Sequence, residues 1–179
     1  MDDIVKQAMA KWPDVPACYG WLGLDARGNW YMRDEQVQRN GPFTISKGSR
    51  LTHDKLIGFI ERNYQADASG QWYFQNGPQC VYVELEVAPW VWRIQPDGSI
   101  QSHTQTAARM QRCFVDERGH LYLDTEIGFG IVHSQDMVQA VTPIDQGLWV
   151  PQEIDSNQIA QRFGFVKSPA LANATREKT

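Results

Sequence analysis

One recurring turn constrains this chain more than any other feature. Four segments carry Asp, then Gly, then a strand rich in aromatic residues, around Gly28, Gly70, Gly98 and Gly119. Gly tolerates positive φ and Asp bonds back to local amides, so each segment reads as a reversal between extended stretches. Two of them match more deeply. Asp67-Ala68-Ser69-Gly70-Gln71-Trp72-Tyr73-Phe74 aligns with Asp116-Glu117-Arg118-Gly119-His120-Leu121-Tyr122-Leu123, 49 positions later. Asp-x-x-Gly hairpins are common singly, but a shared offset with a β-strand following in both cases predicts internal duplication.

Ser49 to Ile94 is the clearest unit. Thr52 reads as the N-cap of a helix, with Leu51 and Leu56 placed as a hydrophobic staple. Leu56, Ile57, Ile60 and Tyr64 then form its buried face. Trp72-Tyr73-Phe74 is a strand, and Asn76-Gly77 reads as the centre of a type I′ hairpin turn. Val81, Val83, Leu85 and Val87 alternate with Tyr82, Glu84 and Glu86, giving one dry and one wet face. Past Pro89 the apolar set moves to Trp90, Trp92 and Ile94. That change of parity predicts a bulge near Ala88-Pro89.

Elsewhere, residues 2–12 read as a short helix with Ile4, Ala8 and Trp12 on one stripe, ended by Pro13 and Pro16. Tyr19 to Leu24 and Asn29 to Arg33 flank the first turn as strands. Met137 to Val141 reads as a further strand. Asp155 or Ser156 caps a helix that Gly164 ends. The expected organisation is an N-terminal helix over 1–16, a first α+β half over 17–95, a second β-rich half with a C-terminal helix over 96–166, and a disordered tail over 167–179.

Composition limits the function classes. The chain has 179 residues, 42 % apolar and 21 % charged, as folded soluble proteins do. A net charge of −4 without a basic stripe argues against unaided nucleic-acid binding. No apolar run reaches membrane-spanning length and no signal-peptide core appears, which points to the cytoplasm and to no membrane partner. Cys18, Cys80 and Cys113 are odd in number and widely spaced, so reduced thiols are expected. Seven Trp either fill a large core or line a pocket.

No motif carries chemistry by itself, and neither cofactor nor metal is expected. Glu84 and Glu86 point the same way from one strand and are the one candidate carboxylate pair, although a solvated face opposite Val83, Leu85 and Val87 accounts for them better. The His and Cys residues lack zinc spacing. Gly128-Phe129-Gly130 lacks the lysine and following helix of a phosphate loop. Ser, His and Asp in His133-Ser134-Gln135-Asp136 are adjacent and cannot form a relay. Trp90, Trp92 and Arg93, with Arg109 and Arg112, combine aromatic surface with cations, a set able to stack a base and hold a phosphate. The same residues also read as core tryptophan and surface arginine.

The run from Leu51 to Ile94, with Phe74-Gln75-Asn76-Gly77-Pro78-Gln79, Val81-Tyr82-Val83-Glu84 and Ala88-Pro89-Trp90, resembles a family of uncharacterised proteobacterial proteins. It is also similar, distantly, to a second family of unknown function. Gly164-Phe165-Val166 and Ser168-Pro169 extend the likeness over most of residues 17–169. The second family implies a duplicated two-domain α+β fold with a C-terminal half similar to pleckstrin-homology domains. It further implies a nucleotide-type ligand between the halves and a role in bacterial signalling. Its Thr-Pro turn is replaced here by Asn76-Gly77-Pro78-Gln79.

The expected fold is therefore α+β, two related halves built of mostly antiparallel sheets with a few short helices. The expected function is a non-enzymatic binding or sensor protein for a small anionic, nucleotide-like ligand. Asn76 and Gln79 would read polar edges, Trp92 would stack, and Arg93 and Arg109 would hold anionic oxygens. A protein-interaction adaptor using its aromatic strands is the first alternative. A metal-dependent nucleotide hydrolase using Glu84 and Glu86 is the second.

Overall fold

Strand pairing sorts the chain into two sheets of one design. The computed structural model describes residues 1–176. In the first sheet, β1 (Cys18–Leu24), β2 (Trp30–Met32) and β3 (Ser49–Arg50) form one antiparallel meander, and β4 (Tyr64–Ala66), β5 (Trp72–Asn76) and β6 (Gln79–Leu85) form another. The meanders join through a parallel contact of β1 with β6, giving the order β3-β2-β1-β6-β5-β4. The second sheet repeats this plan. It uses β7 (Trp90–Ile94), β8 (Ile100–Ser102) and β9 (Ala107–Ala108), then β10 (Met110–Asp116), β11 (Leu121–Thr125) and β12 (Gly128–Val132). Its order is β9-β8-β7-β12-β11-β10, again with a parallel central pair. One added strand, β13 (Gln152–Ile154), lies parallel beside β10.

The same order, the same central parallel pair and the same flanking meanders make the halves structural repeats, and the fold is α+β with mostly antiparallel pairing. The four turn glycines sit at φ of 79°, 76°, 82° and 80°, in the β1–β2, β4–β5, β7–β8 and β10–β11 connections. The matched Gly70 and Gly119 turns thus occupy equivalent places. The Gly28 and Gly98 turns are equivalent too, but at a different offset. Between β2 and β4 the first sheet carries α2 (Glu35–Arg39) and α3 (Asp54–Arg62), whereas the second has no helix between β8 and β10.

Contacts divide the chain into a first unit of Met1–Asp25, Asn29–Glu86 and the stretch from Gly164 onward, and a second of Ala26–Gly28 and Val87–Phe163. The first core gathers Leu22, Leu24, Trp30, Ile60, Phe74, Val83 and Leu85. The second gathers Trp92, Phe114, Tyr122, Leu123, Phe129 and Ile131. The halves therefore divide at Glu86/Val87 and not at 95/96. The change of parity past Pro89 is no bulge: β6 ends at Leu85 and β7 belongs to the other sheet. Every residue from Trp90 to Ile94 except Arg93 is buried, as in a central strand covered on both faces.

Other expectations are corrected locally. His53, not Thr52, caps α3, its Nδ1 accepting from the Leu56 N–H at 3.3 Å. The turn after Asn76 centres on Gly77-Pro78, because Asn76 pairs with Gln79. Pro78 has φ fixed near −65°, which excludes type I′ and leaves Gly77 alone at a positive φ of 56°. In α1 (Asp3–Lys11) Val5 is buried while Ile4 and Trp12 are exposed, so the helix seats on the stripe beside the expected one. Met137 to Val141 opens α4 (Met137–Asp145), not a strand. Gly164, at φ 66°, follows α5 (Ile159–Arg162). Residues 167–179 are not a disordered tail throughout, because they contain α6 (Pro169–Arg176); the last, 177–179, lie outside the described residues.

Candidate functional site

The first unit holds a half-enclosed apolar cavity of about 270 Å³. Four neighbouring strands, β2, β1, β6 and β5, supply its floor through Met32, Leu22, Val81 and Phe74, and α3 supplies a wall through Leu56 and Ile60. α3 lies here because Ile60 buries against the sheet and Phe59 meets the Phe74 ring edge-on, while its first turn stays exposed. Trp21, Met32 and Leu56 are each more than a third exposed, so the cavity opens through large apolar side chains and not through charge.

Asn76 and Gln79 stand at this cavity, one on each side of the Gly77-Pro78 turn. The Gln79 amide donates to the Pro16 carbonyl at 3.1 Å, which fixes it against the chain entering β1. Asn76 is exposed, and its side-chain amide has no hydrogen-bond partner among the described residues. The structure thus brings two of the five sequence-derived site residues together. The turn between Asn76 and Gln79 makes them legible in the sequence, whereas no local signal marks Trp21, Met32 and Leu56. Trp21 reads as an ordinary strand residue; only the excess of Trp hinted that one would line a pocket.

The other three lie in the second unit and do not form a site there. Trp92 is fully buried and its Nε1–H donates to the Leu123 carbonyl at 3.0 Å, so it has no face for stacking a base. Arg93 is committed to Asp136, with Nη2 at 3.2 Å from Oδ1 and Nε close to Oδ2. Asp136 also accepts from the Ile94 N–H. Burial works to raise its pKa, but the hydrogen bond and charge of Arg93 carry it below the ordinary carboxylate value. Arg109 is almost wholly exposed, with its guanidinium 3.8 Å from Glu126.

The carboxylate pair is also separated by its surroundings. Glu84 is buried, not solvated, and accepts from the Ser168 hydroxyl at 2.5 Å and the Ala170 N–H at 3.0 Å. It therefore satisfies the start of α6 from outside the helix. Glu86 pairs instead with Lys47 at 2.8 Å. The two do not offer their oxygens to one ion, and among the described residues no group of three His, Cys, Asp or Glu could hold a metal. Burial raises the Cys80 and Cys113 thiols, which disfavours the reactive thiolate. No described helix is long and apolar enough to cross a membrane.

Fold and cavity together define an α+β protein of two repeated sheets with a half-enclosed apolar pocket in the first. Residues 1–170 match the DUF2944 family, described as "Protein of unknown function (DUF2946)", and the chain belongs to this family. Among solved structures it is similar to a DUF1285 family protein from Silicibacter pomeroyi DSS-3, at 11 % identity and a TM-score of 0.49. That likeness covers 79 % of this chain and 84 % of the other. No curated protein matches the chain.

Proposed function

We propose that this chain is a non-enzymatic, cytoplasmic binding or sensor protein for a small nucleotide-like ligand, acting in bacterial signalling. The observation that carries this reading is the first unit's cavity, where exposed Trp21 stands with the uncommitted amide of Asn76. Ligand sites are mostly apolar hollows with a few polar groups that fix orientation, typically about 300–1,000 Å³. At about 270 Å³ this one admits a single flat ring system, the base end of a nucleotide, and leaves any phosphate outside. Its lining contains neither lysine nor arginine, so an anionic group would be held by solvent and not by the walls. The signalling role rests on the family resemblance alone.

Thermal melts of the full chain with adenine, guanine, their nucleosides and nucleotides test this. A ligand at a hundredfold excess over Kd adds about 2.7 kcal/mol, a shift of several degrees. Trp21→Ala and Asn76→Ala should each reduce the shift. A flat panel, or shifts that survive both substitutions, would overturn the reading. A protein-interaction role is the second reading, favoured by exposed Val138 and Val141 on α4 and exposed Leu148 and Val150 after it.

A further inference from the structure

One of the four turns departs from the pattern of the others, and a cavity opens beside it. Each of the four turns is closed by the same backbone bond, from the N–H of its first residue to the carbonyl four residues on. The pairs are Asp25 to Asn29, Asp67 to Gln71, Asp116 to His120 and Gln95 to Ser99. In three turns the opening residue is Asp, and its carboxylate is committed. It accepts the returning N–H at 2.8, 3.0 and 2.8 Å, and also a tyrosine hydroxyl, from Tyr31, Tyr82 and Tyr122 respectively. In the fourth turn Gln95 takes this position. Asp97 bonds the Ser99 N–H instead, at 2.9 Å, and the Gln95 amide has no hydrogen-bond partner among the described residues.

A half-enclosed cavity of about 380 Å³ lies between this turn, α4 and the chain just after it. Gln139, Thr142 and Gln146 line it from i, i+3 and i+7 of one helical face, with half-buried Trp149 beside them. The side chains of Gln139 and Gln146 are likewise unbonded among the described residues. Three free amides and a hydroxyl give alternating donors and acceptors without net charge. Asp97 is the single carboxylate of the lining, and no lysine, arginine or histidine joins it. An anion finds no counter-charge here, and an apolar ligand would strip water from too many amides. A molecule with an apolar C–H face and several neighbouring hydroxyls satisfies both the tryptophan and the amides.

We propose that this cavity binds a neutral saccharide, with Trp149 against the C–H face of the ring and Gln95, Gln139 and Gln146 bonding its hydroxyls. This site is independent of the first unit's cavity and of the ligand proposed there. The test is a glycan array of neutral and acidic saccharides probed with the full chain. Calorimetric titration of the strongest-binding array saccharide follows. A neutral saccharide should be retained. Trp149→Ala should weaken it by about tenfold or more, and Trp149→Phe by less, because the smaller ring keeps an apolar face. Gln95→Asp, which restores the residue of the other turns, should lower affinity while leaving the melting temperature level or higher. If Trp149→Ala fails to fold, Gln139→Ala with Gln146→Ala on the exposed helix face carries the same expectation. Retention of no saccharide, preference for acidic ones, or undiminished binding by these variants overturns the proposal.

Discussion

The hydroxyl of Tyr122 donates to the carboxylate of Asp116 at 2.9 Å, with both residues buried in the second sheet. The same carboxylate accepts from the N–H groups of Arg118 and His120 and lies 2.9 Å from the His120 ring. One side chain therefore ties the β10–β11 turn to the core beneath it. Tyr122→Phe should cost about 1–2 kcal/mol in urea unfolding, a single charge-assisted bond. Asp116→Ala strands several donors at once and should cost about 3 kcal/mol. The double variant should be little worse than Asp116→Ala alone. Simple additivity would show that the network is not one unit.

Turn glycines of identical conformation should differ in what they tolerate. At Gly98, φ is 82° and a Cβ would meet nothing within 4 Å. Gly98→Ala then carries only the left-handed penalty of about 1–2 kcal/mol. At Gly70, φ is 76°, but a Cβ would fall 2.0 Å from the Gly164 carbonyl oxygen, in backbone that cannot swing aside. Gly70→Ala should therefore cost clearly more, because it displaces the return of the chain at Gly164. Equal losses from the two substitutions, measured by denaturant melts, would remove the packing argument.

The repeat was legible because its turns are local. Asp, Gly and the following strand lie within eight residues, and the 49-residue offset survives intact between the Gly70 and Gly119 turns. Sheet membership was not legible. Val81 to Leu85 and Trp90 to Ile94 look like one strand with a fault at Pro89, since nothing in a period-2 pattern says that the partner strands differ. Alternation places Glu84 on the wet face opposite Val83 and Leu85, yet its partners come from Ser168 and Ala170, far along the chain. The candidate site divided similarly. Asn76 and Gln79 flank a recognisable turn, whereas Trp92 and Trp21 have the same local pattern. Only tertiary packing buries the first and exposes the second.

The buried carboxylate of Glu84 should control whether α6 stays seated. Glu84→Ala leaves the Ser168 hydroxyl and the Ala170 N–H without their acceptor, at a cost of about 1–3 kcal/mol. Because α6 is short, the loss should be local: its amides should exchange faster with solvent, while those of β10 to β12 keep their protection. Exchange that rises evenly over both sheets would show that Glu84 supports the whole fold and not the helix start.

Arg93 offers two roles that pH separates. As a ligand residue its removal would leave stability unchanged; as the partner of Asp136 its removal must weaken the native state. Arg93 is nearly half exposed, so solvent screening limits the loss from Arg93→Ala to about 0.5–1 kcal/mol at neutral pH. The Asp136 pKa is depressed in the folded state, chiefly by Arg93 acting against burial. A depressed carboxylate contributes stability that is complete above its unfolded value, about 3.9, and is lost as pH falls through the folded value. The gap between wild type and Arg93→Ala should thus hold constant from pH 7 to about pH 5 and narrow below about pH 4. Urea melts at pH 7, 5, 4 and 3 would show it. A gap that persists unchanged to pH 3 would mean that Arg93 stabilises through its packed methylenes, and no gap at any pH would return it to the list of ligand-binding candidates.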